Sequence, residues 1–326
     1  MNGQGNPALG LGCWAIGGHF EIGGAAKGWG KVDDQQSIRS IHAAVDAGIR
    51  FFDTAQAYGL GHSESLLGQA IGDRPEVLIG TKVGYAINPE TKEFVGEDTE
   101  PRAIAASIDD SLRRLRRDHI DVVHLHVNDL AIPKAESVFE CLEQVRKQGK
   151  VNAFGWSTDF PDRAEAFAKL DGFVSIQHAL NVFFRADRLL PVIERHGLLS
   201  INRSPLAMGL LSGKYDTNST FGKDDVRGYN EAWLSYFKDG RIEESYAKRL
   251  AAVRDLLTTG GRSPVQGAIC WIWARSQTTL PIPGFKTPEQ VAELAGVLQF
   301  GPLNQPVMDE IERVLCREPE GEPRAR

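Results

Sequence analysis

Apolar residues recur along this chain in two alternating rhythms. In VDDQQSIRSIHAAVDAG, Ile38, Ile41, Ala44 and Val45 fall on one helical face, and Gly48 closes the segment. IRFFD (49–53) then predicts a strand, HSESLLGQAIG a short helix, and EVLIGTKVG (76–84) another strand. PRAIAASIDDSLRRLR predicts a helix with Pro101 near its start and Ile104, Ile108 and Leu112 spaced by four. DVVHLH (121–126) is a strand, SVFECLEQVRKQGK a helix, VNAFGWS (151–157) a strand, DRAEAFAKL a short helix and FVSIQHA (173–179) a strand. RLLPVIERHG leads into LLSINRSPL, and SPVQGAICWIWARS, TTLPIPG and PEQVAELAGVLQF supply the last repeat.

This beat gives eight strand–helix steps, which favours parallel βαβ units with helices outside. No composition shift marks a second domain. The expectation is one α/β domain over 1–316, a (β/α)8 TIM barrel, followed by a mobile tail at 317–326 (REPEGEPRAR) that lacks apolar periodicity. An open dinucleotide-binding sheet fits less well, because GLGCWAIGG does not have GxGxxG spacing. Residues 207–245 break the beat with a long aromatic and glycine-rich insert, a length usually tied to function.

In a barrel of this kind, catalytic groups sit at the carboxyl ends of strands. Asp53 ends IRFFD, Lys82 lies near the end of EVLIGTKVG, His126 ends DVVHLH, and Tyr58 follows in the loop after the first of these. Taken singly, each has a plainer role: a cap, a solvent-facing ammonium, a structural imidazole, a core cover. Alternation does not separate His124 from His126, which share a strand parity. Taken together, they suit reduction of a carbonyl. The phenol gives a proton to an oxygen that gains charge, a neighbouring ammonium held by a carboxylate lowers the phenol's pKa, and an imidazole orients the oxygen. A Schiff-base role for Lys82, as in an aldolase-type barrel, is the competing chemistry. The adjacent Asp53 opposes it by favouring the charged amine.

Composition narrows the partners. Of the 326 residues, 42% are hydrophobic and 25% charged, with 37 Lys+Arg against 43 Asp+Glu and a formal charge of −6. No basic excess points to nucleic acid or an anionic membrane. The four cysteines are far apart with no CxxC, so metal clamping and dithiol chemistry find no support. MNGQGNPALG lacks the features of a signal peptide, and no apolar run is long enough to span a bilayer, so a cytoplasmic location is expected.

FFDTAQAYGLGHSESLLGQAI, LIGTKVG, DVVHLH, SPLAMGLLSGKY and IPGFKTPEQVAEL together resemble the aldo-keto reductase family over nearly the whole chain. That resemblance implies a (β/α)8 barrel and an NAD(P)(H)-dependent oxidoreductase acting on a small carbonyl or alcohol. It places the tetrad on Asp53, Tyr58, Lys82 and His126, the second histidine of HLH. It implies a nucleotide spread across the barrel mouth. Cys13, Trp14 and Asp53 lie on its nicotinamide side, with Ser157 and Gln177 at the carboxamide. Ser204, Leu206, Gly209 and Lys214 cradle the diphosphate, and Gly284, Lys286, Gln290 and Glu293 cap the adenosine end.

Three positions depart from the family pattern. Thr158 stands where an Asn is usual and Leu294 where many relatives have Asn. Arg203 replaces the stacking Tyr, leaving stacking, anion contact or a structural ion pair open for its guanidinium. Lys286 is a displaced substitute for the cations that read a 2′-phosphate, so the expectation leans to NADPH over NADH. Trp14, Tyr58 and Trp29 suggest an aromatic approach that admits a sugar, a small aldehyde or a cyclic ketone. A nucleotide-sensing regulatory subunit is the alternative of a different class.

Overall fold

The computed structural model describes residues 8–88, 90–230 and 234–323. Eight parallel strands form one sheet in chain order: β1 (Gly10–Gly12), β2 (Phe51–Asp53), β3 (Leu78–Val83), β4 (Ile120–Leu125), β5 (Val151–Ser157), β6 (Phe173–Ala179), β7 (Leu199–Arg203) and β8 (Thr279–Pro281). The ring closes just beyond β8, where Gly12 bridges Gly284 in parallel and its amide donates to the Pro283 carbonyl at 2.9 Å. The fold is a (β/α)8 TIM barrel.

Strand alternation explains the paired aromatics before Asp53. Phe51 points into the barrel, where it packs with Val122, Ile201, Leu280 and Ile282. Phe52 points outward into the layer shared with the helices. Asp53 has the parity of Phe51, so its carboxylate emerges inside the ring at the carboxyl end.

The helices are α1 (Asp34–Asp46), α2 (His62–Ile71), α3 (Pro101–Leu115), α4 (Ile132–Lys147), α5 (Pro161–Phe167), α6 (Leu190–Arg195), α7 (Glu244–Leu257), α8 (Pro264–Arg275), α9 (Pro288–Ala295) and α10 (Gln305–Leu315). Their ends follow local chemistry. Asp33 accepts the Gln36 amide at the start of α1, and Ser263 and Gln266 form a reciprocal capping box on α8. Helices α7 and α10 lie outside the segments read from periodicity, as do two hairpins over the barrel mouth. Those hairpins pair Glu21–Ile22 with Ala25–Ala26, and Tyr85–Asn88 with Glu93–Glu97.

The described part of the 207–245 insert is ordered around one cation. Arg227 makes a bidentate contact with Asp225, donates to the Met208 carbonyl, and lies against the rings of Trp29, Tyr215, Phe221 and Phe237. Residues 231–233 of the insert lie outside the described residues. The segment called a tail at 317–326 is described to 323. There Arg317 grips Glu312 with two nitrogens, and Glu320 accepts the Arg188 amide. Among the described residues, no helix is long and apolar enough to cross a membrane.

Candidate active site

At the carboxyl end of the barrel, a cavity of about 810 Å³ opens among the strand ends, the two hairpins and the insert. Lys82 lies behind the wall that Asp53 and Tyr58 give this cavity, fully buried. Its ammonium donates to Asp53 Oδ2 at 2.7 Å, to the Thr54 carbonyl at 2.7 Å and to the Tyr58 hydroxyl at 3.2 Å. All three donors of the ammonium are thereby used. Asp53 is held from its other side by Gln177, whose Nε2 donates to Oδ1 at 2.6 Å. Ser157 Oγ reaches the Gln177 carbonyl oxygen at 3.5 Å.

Tyr58 reaches this point because its loop lies hard against the loop after β1. Gly59 has φ +61°, and a Cβ there would sit 1.9 Å from the Gly17 carbonyl oxygen. The Tyr58 ring stacks near Trp14, with centroids 6.0 Å apart, and meets His126 edge-on at 6.1 Å. Tyr85 closes on His126 at 5.0 Å, and Phe94 backs Tyr85 at 5.3 Å. Asp53, Tyr58, Lys82 and His126, remote in sequence, thus converge on one space.

Charge in this space is set by burial as much as by pairing. Asp53 and Tyr58 raise the pKa of Lys82, overcoming burial, so it remains an ammonium. Such a group does not supply the neutral amine that a Schiff base requires. Burial pushes the Tyr58 phenol above its ordinary value, and Lys82 pulls it back only in part. The sequence expectation of a lowered phenol pKa is reversed here, because desolvation outweighs the ammonium. His124 sits deeper, paired in register with Lys82 and bonded through Nε2 to Ser175 Oγ at 2.8 Å. Burial drops its pKa to about 3, so it is a neutral group of the buried interior.

The expected nucleotide contacts largely surround the same cavity. Trp14, Ser157, Gln177, Arg203, Ser204, Leu206, Gly209, Lys214, Gly284, Lys286, Gln290 and Glu293 all line it. Cys13 does not: its side chain is buried in the core, with Sγ toward the Leu11 carbonyl, and burial raises its pKa well above the ordinary value. Thr158 also turns away, donating to the Asn128 carbonyl at 2.6 Å. Of the roles left open for Arg203 the structure displays the ion pair, with Asp159, while the side chain also lines the cavity. Lys286, on which the lean to NADPH rests, donates its ammonium to the Trp29 carbonyl.

Several lining residues carried no signal in the sequence reading. Asn128 follows β4 in the cavity wall and also accepts the Asp159 amide at 2.9 Å. Tyr85, Phe94 and Glu97 come from a hairpin too short and polar to announce itself, although YAIN and EFVGE alternate weakly. Arg227 sits in a stretch without periodicity, where only the preceding Asp224 and Asp225 hinted at a pair.

Comparison with known proteins places these features in context. A family model described as "Aldo/keto reductase family" matches residues 8–315. Aldo-keto reductase YhdN of Bacillus subtilis is 30% identical over 316 residues, covering 94% of this chain and 89% of that protein. The NADH-specific methylglyoxal reductase of Escherichia coli is 30% identical over 313 residues, covering 90% of each. Among solved structures, that of the glycerol dehydrogenase AKR11B4 from Gluconobacter oxydans superposes with a TM-score of 0.81. It shares 30% identity and covers 96% of this chain and 94% of its own.

Proposed function

Because the chain belongs to the aldo/keto reductase family, we propose that it interconverts a small aldehyde or ketone and its alcohol with a nicotinamide nucleotide, NADPH or NADH. The observation that carries this reading is the Lys82 ammonium shared between Asp53 and the Tyr58 hydroxyl in the cavity wall. The cavity fits such a cofactor chemically. Ser157, Gln177 and Asn128 offer amide and hydroxyl partners, Lys214 and Arg227 offer positive charge, and Arg203 has a buried Nη1 with no acceptor.

When bound, the reduced nicotinamide supplies the hydride equivalent to the carbonyl carbon. The chain does the rest. Tyr58 donates its proton to the carbonyl oxygen as negative charge develops there. Lys82 stabilises the phenolate that results, and Asp53, fixed by Gln177, keeps Lys82 charged and in place. His126 holds the carbonyl oxygen within reach of Tyr58. Phe20, Tyr85 and Phe94 from the two hairpins wall the approach and exclude water. Alcohol oxidation uses the same groups in reverse. These aromatic walls suit a sugar, a small aldehyde or a cyclic ketone.

Replacing Tyr58 with Phe tests this assignment. The expected result is loss of carbonyl reduction by at least about 100-fold with nucleotide binding retained, as followed by nicotinamide fluorescence. Retained turnover in Tyr58→Phe would remove the phenol from the mechanism.

A further inference from the structure

The ion pair of Arg203 and Asp159 crosses a partition between two cavities. Arg203 lines the main cavity, whereas Asp159 lines a smaller one of about 210 Å³, and Ser204 and Met208 belong to both walls. Arg203 Nη2 donates to Asp159 Oδ2 at 2.5 Å. Asp159 Oδ1 accepts the Ala179 amide at 3.0 Å, so main chain fixes the carboxylate behind the partition. Arg203 Nη1, by contrast, is buried and has no hydrogen-bond partner. The pair is a fixed dipole whose positive end faces the main cavity.

That end adjoins the reacting centre. Arg203 pairs in register with Ala179, two residues beyond Gln177, and Gln177 holds Asp53. The guanidinium field extends far enough to pull on both Asp53 and Tyr58.

We propose that Arg203, with Asp159 behind it, sets a preference for the reduced over the oxidised nicotinamide. The inference rests on the cofactor reading above. A ring that serves a carbonyl held by Tyr58 and His126 shares its space with Ser157, Gln177 and Arg203. The reduced ring is neutral, whereas the oxidised ring carries a positive charge. A guanidinium facing it therefore raises the free energy of the oxidised complex and leaves the reduced one almost unchanged. Asp159 offsets part of this, which leaves a net discrimination of roughly three- to tenfold.

The two ends of the dipole give opposite predictions. Dissociation constants for NADPH, NADP+, NADH and NAD+ would be measured by calorimetry on the full chain and on Arg203→Met, Arg203→Lys and Asp159→Asn. Arg203→Met should tighten the oxidised form relative to the reduced by roughly three- to tenfold. Arg203→Lys should keep the wild-type ratio, and Asp159→Asn should move the ratio the other way. If Arg203→Met weakens or tightens both forms alike, the discrimination proposal is overturned while the cofactor reading stands. If the folded wild-type protein binds neither form, the cofactor reading itself fails. Should Asp159→Asn fail to fold, the Met and Lys variants still decide the matter.

Discussion

Tyr58 keeps its proton well into alkaline solution because its hydroxyl is buried, and the adjacent Lys82 offsets that only in part. In the mechanism proposed above, carbonyl reduction needs the protonated phenol. Its rate is therefore expected to stay level through neutral pH and to fall as pH rises past the ordinary phenol value of 10.0. A reduction profile that falls near pH 7 would contradict this. Two buried histidines act on stability instead. Burial lowers His124 to about 3 and His178 to about 4, against an ordinary 6.5. Below pH 6.5 the unfolded chain takes up protons that the folded chain refuses, so stability declines with falling pH by about 1.4 kcal/mol per histidine per pH unit until each folded pKa is reached. Denaturant melts at pH 7 and pH 5 should show this loss, and His124→Gln should remove about half of it. At this scale the sequence was most informative where chemistry coincides with a strand end, as at Asp53, Lys82 and His126. Parity left His124 and His126 equivalent; depth along the strand separates them. Asp159 was silent because its partner Arg203 is 44 residues away and meets it only across folded strand ends.

The insert and the loop before α1 behave as one element. The Val226 amide donates to the Gly28 carbonyl at 3.0 Å, Trp29 bridges Asp225, and Arg227 lies over the Trp29 ring. Lys286, just before α9, completes the clasp through the Trp29 carbonyl. Loosening it should act on both nucleotides. Lys286→Ala and Arg227→Met are each expected to speed release of NADPH and NADH to similar extents in stopped-flow fluorescence. An effect of Lys286→Ala confined to NADPH would instead identify a 2′-phosphate reader. Long periodic segments such as α1, α3 and α4 were legible because one face of each is apolar. The Tyr85–Glu97 hairpin was not, since both its faces are partly wet and its order comes from packing against the other hairpin and from Gln56 donating to the Tyr85 carbonyl. The insert likewise takes its shape from a single buried cation rather than from any repeat.

At the scale of the whole molecule, the alternation of strands and helices was sufficient to indicate a ring, but not how the ring shuts. Elsewhere, neighbouring strands share ladders of several registered residues. Among the described residues, β1 and the end of β8 meet through one bridge at Gly12 and Gly284. Gly12 is required there: a Cβ would stand 2.8 Å from the Ile282 carbonyl oxygen. Gly12→Ala should cost about 1–3 kcal/mol in a denaturant melt, by prising the two ends apart. An unchanged midpoint would show that the join tolerates the methyl. The cavity spans this same join, with Gly12 and Trp14 on one lip and Ile282 and Gly284 on the other. A nucleotide lying across both lips is then a splint as well as a reagent. It should raise the melting temperature in proportion to the logarithm of its concentration, and by less in Gly12→Ala, whose parted lips hold it more weakly. In this barrel the least-stitched seam among the described residues lies in the wall of the cavity proposed for the reagent, so on that proposal each catalytic cycle would also fasten and unfasten the hoop that holds the enzyme together.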